Sequence, residues 1–230
     1  MEKRRIEYVC TANNGRSPLA ETMARAHLKL NYRDFLEGIT ISSSGTDADI
    51  SKKPIDSFKI ASYLIGRGHN YNLVSPDLYS SEERGLVEKE ILKKDDSERY
   101  EEDEIFRGIV NNLATRTLNH FQREEVELRD EFLRDFGLIY EGRSNKQTKV
   151  SSDISLILPM AQSNAEKIRE IYRVSSNQPR LEVISDYSGT DPILNSFGSP
   201  HKEEHIEAFK LVKKASEMSI DRFVREIKWI

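Results

Sequence analysis

The chain has 230 residues, of which 37% are hydrophobic and 32% are charged, and its net charge is −4. This composition excludes a membrane span, which needs about 18 consecutive apolar residues, and gives no general reason to expect nucleic acid as a partner. The first residues, M-E-K-R-R, lack the apolar stretch of a signal peptide. The single cysteine excludes a disulfide within the chain and favours a reducing, cytoplasmic location.

Apolar spacing predicts strands and helices that alternate along most of the chain. In chain order the pattern predicts a strand at residues 5–9, a helix from 18 to 30, a strand at 38–42, a helix at 55–66, a strand at 153–160, a helix at 164–172, a strand at 181–184 and a helix at 202–228. Ser17 is predicted to cap the first helix, and Gly66 and Gly68 to end the second. Alternating strands and helices indicate an α/β fold with a parallel sheet. Ligands of such sheets bind beyond the carboxyl ends of strands, where Cys10 falls.

The middle of the chain, residues 80–149, has a different texture. Acidic residues outnumber basic ones there, whereas the rest of the chain is nearly balanced. Residues 81–136 contain no proline and no apolar run long enough for a central strand. One helical stripe of apolar and small residues comprises Ile105, Phe106, Ile109, Val110, Leu113, Thr117 and Phe121. We predict an inserted all-helical subdomain of two or three half-exposed helices, between core segments 1–79 and 150–230, with 142–148 as the return linker.

The acidic residues of this insertion allow two interpretations. Asp95, Asp96 and residues 101–104 are candidates for binding a basic partner. Charge runs of this size are more often solvated loops and helix starts.

The most informative segment places the single cysteine at the end of the first strand, in the run Y-V-C-T-A-N-N-G-R-S-P. Backbone N–H groups of the turn, the N-terminus of the next helix and the Arg16 guanidinium all favour a thiolate at Cys10. Arg16 suits bidentate binding of two phosphate oxygens. Ser17 can donate a hydrogen bond to the sulfur. The pattern predicts a phosphatase site in which Cys10 is the nucleophile, although a free cysteine is often a small buried hydrophobe.

Residues 9–21, V-C-T-A-N-N-G-R-S-P-L-A-E, resemble the signature of the low-molecular-weight protein tyrosine phosphatases, V-C-x-G-N-x-C-R-S-P-x-A-E. The run S-S-S-G-T at 42–46 resembles that family's Ser-Ala-Gly-Thr segment, and 153–160 resembles its strand ending in methionine. The resemblance covers residues 5–76 and 150–228. It implies a three-layer fold with a four-stranded parallel sheet flanked by helices, no metal or other cofactor, and a phosphocysteine intermediate.

The resemblance also implies roles for individual residues. Cys10 would be the nucleophile and Arg16 the phosphate clamp, while the loop binds substrate through Thr11, Ala12, Asn13, Asn14, Gly15 and Ser17. Asn13, Ser17 and Ser43 would support the loop. Gly15 stands where the family has a second cysteine, so Cys10 lacks the neighbour that would protect it from over-oxidation by forming a disulfide. A chain with one cysteine also lacks the relay that arsenate reductases of this fold require.

The general acid of the family is an aspartate in an Asp-Pro pair before the last helix. Asp191-Pro192 is the one such pair here, which makes Asp191 the predicted acid. Matching the following aromatic-Gly pair instead puts Asn195-Ser196 in that place, and an asparagine cannot donate a proton. Asp186 is a second candidate, and the absence of any acid is a third alternative. Tyr187 and Phe197 are candidates for the wall of an aryl phosphate site, or for ordinary packing.

Two functions therefore stay open at the level of sequence. The first is a phosphomonoesterase acting on a phosphorylated protein or a small phosphomonoester, with phosphotyrosine, phosphoarginine and a metabolite as alternatives. The second is a catalytically weak phosphate-binding or signalling module on the same fold. Residues 201–205, H-K-E-E-H, match a zinc-protease pattern, but only 25 residues follow them and we expect a surface helix start there.

Overall fold

The computed structural model divides the chain into two compact units. The structure describes residues 3–49, 53–75, 77–93, 96–176 and 178–228. The first unit consists of residues 1–50, 126–195 and 206–230, and the second of residues 51–125 and 196–205.

Four strands of the first unit form one parallel sheet in the order β2-β1-β3-β4. They are β1 (Arg4–Cys10), β2 (Ile39–Gly45), β3 (Ile154–Pro159) and β4 (Arg180–Leu181). β1 and β3 are the central strands, and most of their residues are buried. Strands buried on both faces are expected where helices cover a parallel sheet.

The helices are α1 (Arg16–Asn31), α2 (Phe58–Val74), α3 (Ser81–Leu86), α4 (Ser97–Glu102), α5 (Glu104–Arg134), α6 (Gln162–Tyr172), α7 (Ile184–Ser188) and α8 (Lys202–Lys228). A short 3₁₀ helix, Arg33–Phe35, follows α1, and a π-helical turn, Val87–Ile91, follows α3. None of the helices in the described part of the chain is long and apolar enough to cross a membrane.

Helices cover both faces of the sheet in the first unit. Successive side chains of a strand point to opposite faces. Ile6 and Tyr8 of β1 belong to a large core shared with α1, α8 and the end of α5, whereas Val9 packs with Ile157 and α6 in a smaller core. The predicted three-layer α/β fold with a four-stranded parallel sheet is confirmed.

Three predicted element boundaries are wrong. Ser17 does not cap α1, because the helix already begins at Arg16 and Gly15 is its N-cap residue. The fourth predicted strand is limited to Arg180–Leu181, since Ile184 begins the short helix α7.

The third boundary concerns the glycines of α2, which continues through both of them to Val74. A Cβ atom at Gly68 would lie 2.2 Å from the Tyr79 hydroxyl and 2.8 Å from a Thr117 side-chain carbon. Gly68 therefore permits close side-chain packing inside the second unit.

The regular elements described in the second unit are all helices, with α2, α3, α4 and most of α5, and turns or irregular segments connect them. Phe106, Val110 and Phe121 of the predicted stripe are buried, but Ile105 and Ile109 are 78% and 42% exposed.

The unit boundaries differ from the predicted limits of the insertion. Residues 51–79 belong to the helical unit, and residues 126–149 belong to the sheet unit. Phe132 and Leu133 explain the second difference, because both are buried in the large core beside the sheet. The single helix α5 therefore contributes residues to both units.

Candidate active site

The turn from β1 to α1 encloses the single thiol. We call residues 10–17 the Cys10 loop. Cys10 is 4% exposed, and its sulfur accepts a hydrogen bond from the Asn13 backbone N–H, with an N···Sγ distance of 3.3 Å. The Ser17 hydroxyl oxygen lies 3.0 Å from the same sulfur. The thiol thus sits at the carboxyl end of a central strand, with hydrogen-bonding groups of its own loop directed at it.

Asn13 fixes the curvature of this loop. Its φ of 56° is in the left-handed region, which asparagine adopts more readily than most residues. The Ser17 hydroxyl lies 2.9 Å from the Asn13 side-chain oxygen and 3.2 Å from the Ser44 carbonyl oxygen. Ser17 therefore stabilises the loop from within through its hydroxyl group. It does not have the predicted role of a helix cap.

The guanidinium of Arg16 has an environment unlike that of a structural arginine. Arg16 is 8% exposed, and it makes no hydrogen bond or ion pair with any residue in the described ranges. A buried charge without a partner is costly. A bound oxyanion would supply that partner, and the fork geometry of arginine suits two of its oxygens.

β2 supports the loop from the side. The Thr46 N–H donates to the Cys10 carbonyl oxygen at 2.9 Å, and the Asp47 N–H donates to the Thr11 carbonyl oxygen at 2.9 Å. Gly45 is required at this crossing, because a Cβ atom there would lie 2.5 Å from the Thr11 carbonyl oxygen. The S-G-T run that the sequence singled out is thus the segment along which the Cys10 loop is held.

Ser43 braces the start of α1 instead of touching the loop. Its hydroxyl donates to a Glu21 carboxylate oxygen at 2.6 Å and lies 3.4 Å from the Tyr140 hydroxyl. Glu21 also forms an ion pair with Arg25 at 2.7 Å. This network ties β2 to α1 just beyond the loop.

Solved structures with the same arrangement of elements are phosphatases. A protein tyrosine phosphatase from Entamoeba histolytica aligns over 97% of this chain and 99% of its own, at 13% identity and a TM-score of 0.53. A Drosophila arginine phosphatase aligns over 97% of both chains, at 12% identity and a TM-score of 0.51. A low-molecular-weight phosphotyrosine phosphatase from Vibrio cholerae aligns over 97% of this chain and 98% of its own, at 14% identity and a TM-score of 0.50. No protein-family model matches the sequence, and no curated protein is significantly similar to it.

The chain has the low-molecular-weight tyrosine phosphatase fold. The resemblance of residues 9–21 predicts this fold, and the structural likeness extends over nearly the whole chain. At identities of 12–14% the likeness is one of fold, and the chemistry of the site rests on the residues of the Cys10 loop.

The segment after α5, which was predicted to be only a return linker, also supports the Cys10 loop. The Asn145 N–H donates to the Asn13 carbonyl oxygen at 3.2 Å, and the Asn13 side-chain amide donates to the Arg143 carbonyl oxygen at 3.3 Å. Gln147 accepts from the Ala48 N–H at 2.8 Å. The asparagine and glycine content of this segment indicates only a turn, so no sequence signal linked it to Cys10.

Two more residues touch the loop without having been predicted. Asn164 of α6 is buried and donates to the Thr11 hydroxyl at 3.2 Å. Arg129 of α5 donates to the Asn14 carbonyl oxygen, and its guanidinium lies over the Tyr140 ring. No sequence signal distinguishes Arg129 from the other charged residues of the middle section.

The acid candidates lie on the segment after β4. Asp191 and Asp186 are both exposed, and neither side chain makes a hydrogen bond or ion pair with the described residues. Neither carboxylate is therefore held in contact with Cys10 or Arg16 in this structure. Asn195, the alternative at the corresponding place, is exposed as well.

Tyr187 and Phe197 are both packing residues in this structure. Tyr187 is 1% exposed, and its hydroxyl donates to Glu226 at 2.8 Å between the guanidinium groups of Arg180 and Arg222. Burial raises the pKa of Tyr187 well above its ordinary value, and the hydrogen bond to Glu226 is the second-largest cause. Phe197 lies in the second unit, edge-on to Phe121. The packing alternative describes both aromatic rings.

No group of three His, Cys, Asp or Glu side chains that could hold a metal ion occurs in the described ranges. In the H-K-E-E-H run, His205 is 1% exposed and its Nε2 lies 3.2 Å from the Ser199 carbonyl oxygen. The run overlaps the first turn of α8, which begins at Lys202.

Proposed function

We propose that this protein is a cysteine-dependent phosphomonoesterase, of the low-molecular-weight protein tyrosine phosphatase type. One observation carries the proposal: a buried thiol and a largely buried guanidinium that has no partner among the described residues lie at the two ends of one short loop. A nucleophile beside an oxyanion site is the arrangement that phosphoryl transfer through a covalent intermediate requires.

The residues of the loop divide the reaction between them. The Cys10 thiolate attacks phosphorus, so that an S–P bond forms while the bond from phosphorus to the leaving oxygen breaks. Arg16 binds two of the non-bridging oxygens. The backbone N–H groups of Thr11, Ala12, Asn13, Asn14, Gly15 and Ser17 distribute their hydrogen bonds over the three oxygens and the Cys10 sulfur, to which the Asn13 N–H donates. Water then attacks the phosphocysteine, the S–P bond breaks, and inorganic phosphate leaves while the electron pair returns to sulfur.

Each step needs a proton carrier, and we assign this role to Asp191. It protonates the leaving oxygen in the first step and takes a proton from the attacking water in the second. Its Asp-Pro sequence and its exposure support the assignment, because an exposed carboxylate on a connecting segment is free to meet bound substrate. Asp186 is the alternative carrier.

The second candidate function is a phosphate-binding module with little turnover. The exposed Asn195 at the place of the acid favours it, as does the lack of contact between either aspartate and the Cys10 loop. Such a module would bind a phosphorylated group through the same loop and Arg16.

The substrate class that we propose first is phosphotyrosine in proteins. Phosphoarginine is the alternative, since the similar structures include enzymes named as tyrosine and as arginine phosphatases. A small phosphomonoester is the third, and the polar Asn14 does not favour an aryl group over the others. We infer a cytoplasmic enzyme without resident metal or cofactor and without nucleic acid as a partner. The acidic residues of the helical unit, of which Asp95 lies outside the described residues, are the proposed surface for a protein partner.

Hydrolysis of p-nitrophenyl phosphate by the purified protein tests the proposal. The wild type should release p-nitrophenolate, Cys10→Ser should release none, and mass spectrometry of the acid-quenched wild type should find one phosphate on Cys10. Arg16→Lys should bind tungstate more weakly than the wild type, because lysine offers a point charge in place of the fork. A wild type that binds tungstate but does not turn over would select the binding module, and one that does neither would refute both functions.

A further inference from the structure

Arg129 is a second arginine at the Cys10 loop, and it reaches the loop from outside. It lies near the end of α5, in a stretch whose charged residues predict a solvent-exposed helix. In the structure, however, Arg129 is only 3% exposed. An arginine that is buried to this extent needs partners for its five N–H groups.

The partners of Arg129 fix its guanidinium in position. Nη1 donates to the Asn14 carbonyl oxygen and, at 3.2 Å, to the Ser144 hydroxyl. Nε and Nη2 donate to the Asp130 carboxylate at 2.8 and 2.6 Å. The Tyr140 ring covers one face of the guanidinium, with its centroid 4.7 Å from Cζ. The side chain is therefore held by contacts on several sides, and one of its donors is committed to the loop.

The bond to Asn14 determines how the next peptide group points. In a planar trans peptide, the C=O and the following N–H point in opposite directions. Because the Asn14 carbonyl faces Arg129, the N–H of Gly15 faces away from Arg129. Gly15 is the residue that would otherwise turn most easily, since it has no Cβ.

Resting on the proposed function, we propose that Arg129 is a positioning residue that holds the Asn14–Gly15 peptide so that its N–H faces the phosphate. It acts through the loop backbone and does not touch the substrate. Arg129 lies in the part of α5 that belongs to the sheet unit. It comes from the charged middle section of the sequence, residues 80–149, which therefore supplies a structural part of the site.

The segment that follows α5 supports the same proposal independently. The Arg143 carbonyl accepts from the side-chain amide of the neighbouring residue Asn13, and the Asn145 N–H donates to the Asn13 backbone carbonyl, as described above. Consecutive peptides of the loop are thus held from outside by residues between 129 and 145. Preorganised donors stabilise an oxyanion without reorganisation at the moment of reaction.

The test compares tungstate binding to Arg129→Gln and to the wild type by isothermal titration calorimetry, together with kcat and KM for p-nitrophenyl phosphate. We expect the tungstate dissociation constant to rise roughly 10- to 100-fold, which corresponds to the loss of one charge-assisted hydrogen bond. Arg129→Lys keeps a charged donor and should recover part of the affinity.

Two control variants separate positioning from stability. Arg134→Gln removes an equal charge from the same helix, at an exposed residue whose Nε contacts only the Asp130 carbonyl oxygen. Leu133→Val destabilises the core beside the sheet without removing a hydrogen bond to the loop. Both should bind tungstate as the wild type does, and a similar loss in Leu133→Val would show that the effect of Arg129 is merely structural.

Unchanged tungstate affinity in folded Arg129→Gln would overturn the positioning role while leaving the phosphatase proposal intact. A wild type without tungstate affinity would overturn both. If neither Arg129 variant folds, backbone order parameters of the anion-free wild type decide: rigid values at residues 13–15, near 0.85, support the role, and values below about 0.6 contradict it.

Discussion

The Ser17 hydroxyl oxygen lies 3.0 Å from the Cys10 sulfur, and it has one proton for three acceptors. The Asn13 side-chain oxygen and the Ser44 carbonyl oxygen are its other acceptors, at 2.9 and 3.2 Å. When Cys10 is a thiol, its S–H can donate to Ser17 while Ser17 donates to Asn13. A thiolate has no proton to offer, so the Ser17 proton must turn toward sulfur.

Replacing Ser17 with alanine should lower kcat for p-nitrophenyl phosphate by roughly 10- to 100-fold. The reason is the loss of a hydrogen bond to a charged sulfur, worth about 1.5–3 kcal/mol. Steady-state kinetics provide the measurement. Thr22→Ala is the matched control, because the Thr22 hydroxyl donates only to the Pro18 carbonyl within α1. Equal kcat values for Ser17→Ala and the wild type would contradict this role.

Asp191→Asn should lower kcat for phenyl phosphate by about 10²-fold or more, within the usual range for general acid catalysis. The effect on p-nitrophenyl phosphate should be small, because p-nitrophenolate is a good leaving group that needs little protonation. The ratio of the two rates is the measurement, and Asp186→Asn is the matched control. A large rate loss in Asp186→Asn but not in Asp191→Asn would assign the acid role to Asp186. No rate loss in either variant would favour the binding module.

Gly45→Ala should destabilise the protein by about 1–3 kcal/mol, as other overpacking substitutions do. The new Cβ would lie 2.5 Å from the Thr11 carbonyl oxygen and 2.9 Å from the Asn13 nitrogen, both of which are backbone atoms of the Cys10 loop. Chemical denaturation measures the loss, and tungstate affinity should fall with it.

A second glycine provides the control for that experiment. A Cβ atom at Gly108 in α5 meets nothing within 4 Å, so Gly108→Ala should stabilise the protein by up to about 1 kcal/mol through helix propensity. Equal effects of the two substitutions would show that the approach of β2 to the loop is not tight.

Glu226→Gln should destabilise the protein by about 1 kcal/mol at pH 7, and this effect should shrink as the pH falls below 4.5, the ordinary pKa of the carboxyl group. Burial acts to raise the pKa of Glu226, but the hydrogen bonds from Tyr187 and Arg222 and the charges of Arg180 and Arg222 outweigh it and lower the pKa below its ordinary value of 4.5. A carboxylate with a lowered pKa in the folded state stabilises that state above its ordinary pKa. This contribution is lost as the pH falls through the lowered value.

Denaturation at a series of pH values checks the sign of this dependence. Glu207→Gln, at an exposed position of the same helix, should leave the free energy of unfolding unchanged from pH 4 to 7. A Glu226→Gln effect that grows toward low pH would contradict the argument.

The local pattern of the sequence was sufficient for the first three strands, the long helices that cover them and the turn that contains Cys10. Alternation in β1, a cysteine at its end and Arg16-Ser17-Pro18 at the start of α1 are all within 15 residues, so short-range sterics and hydrogen bonding decide them. Ser44 and Gly45 were recognisable for the same reason, since the turn after a strand has few compatible residue types.

The supports of the loop were decided by the tertiary structure alone. Arg129 and Asn145 are more than 100 residues from Asn13 and Asn14, and nothing in their own neighbourhoods distinguishes them from solvated residues. From sequence alone, a charged side chain in a helix is predicted to be exposed. Only the tertiary packing shows that Arg129 is buried and has an acceptor beside it. The proposed nucleophile and anion site could be predicted from the sequence, because they depend on one turn of backbone. Only the tertiary structure decided which residues hold that turn, because long-range contacts leave no local pattern.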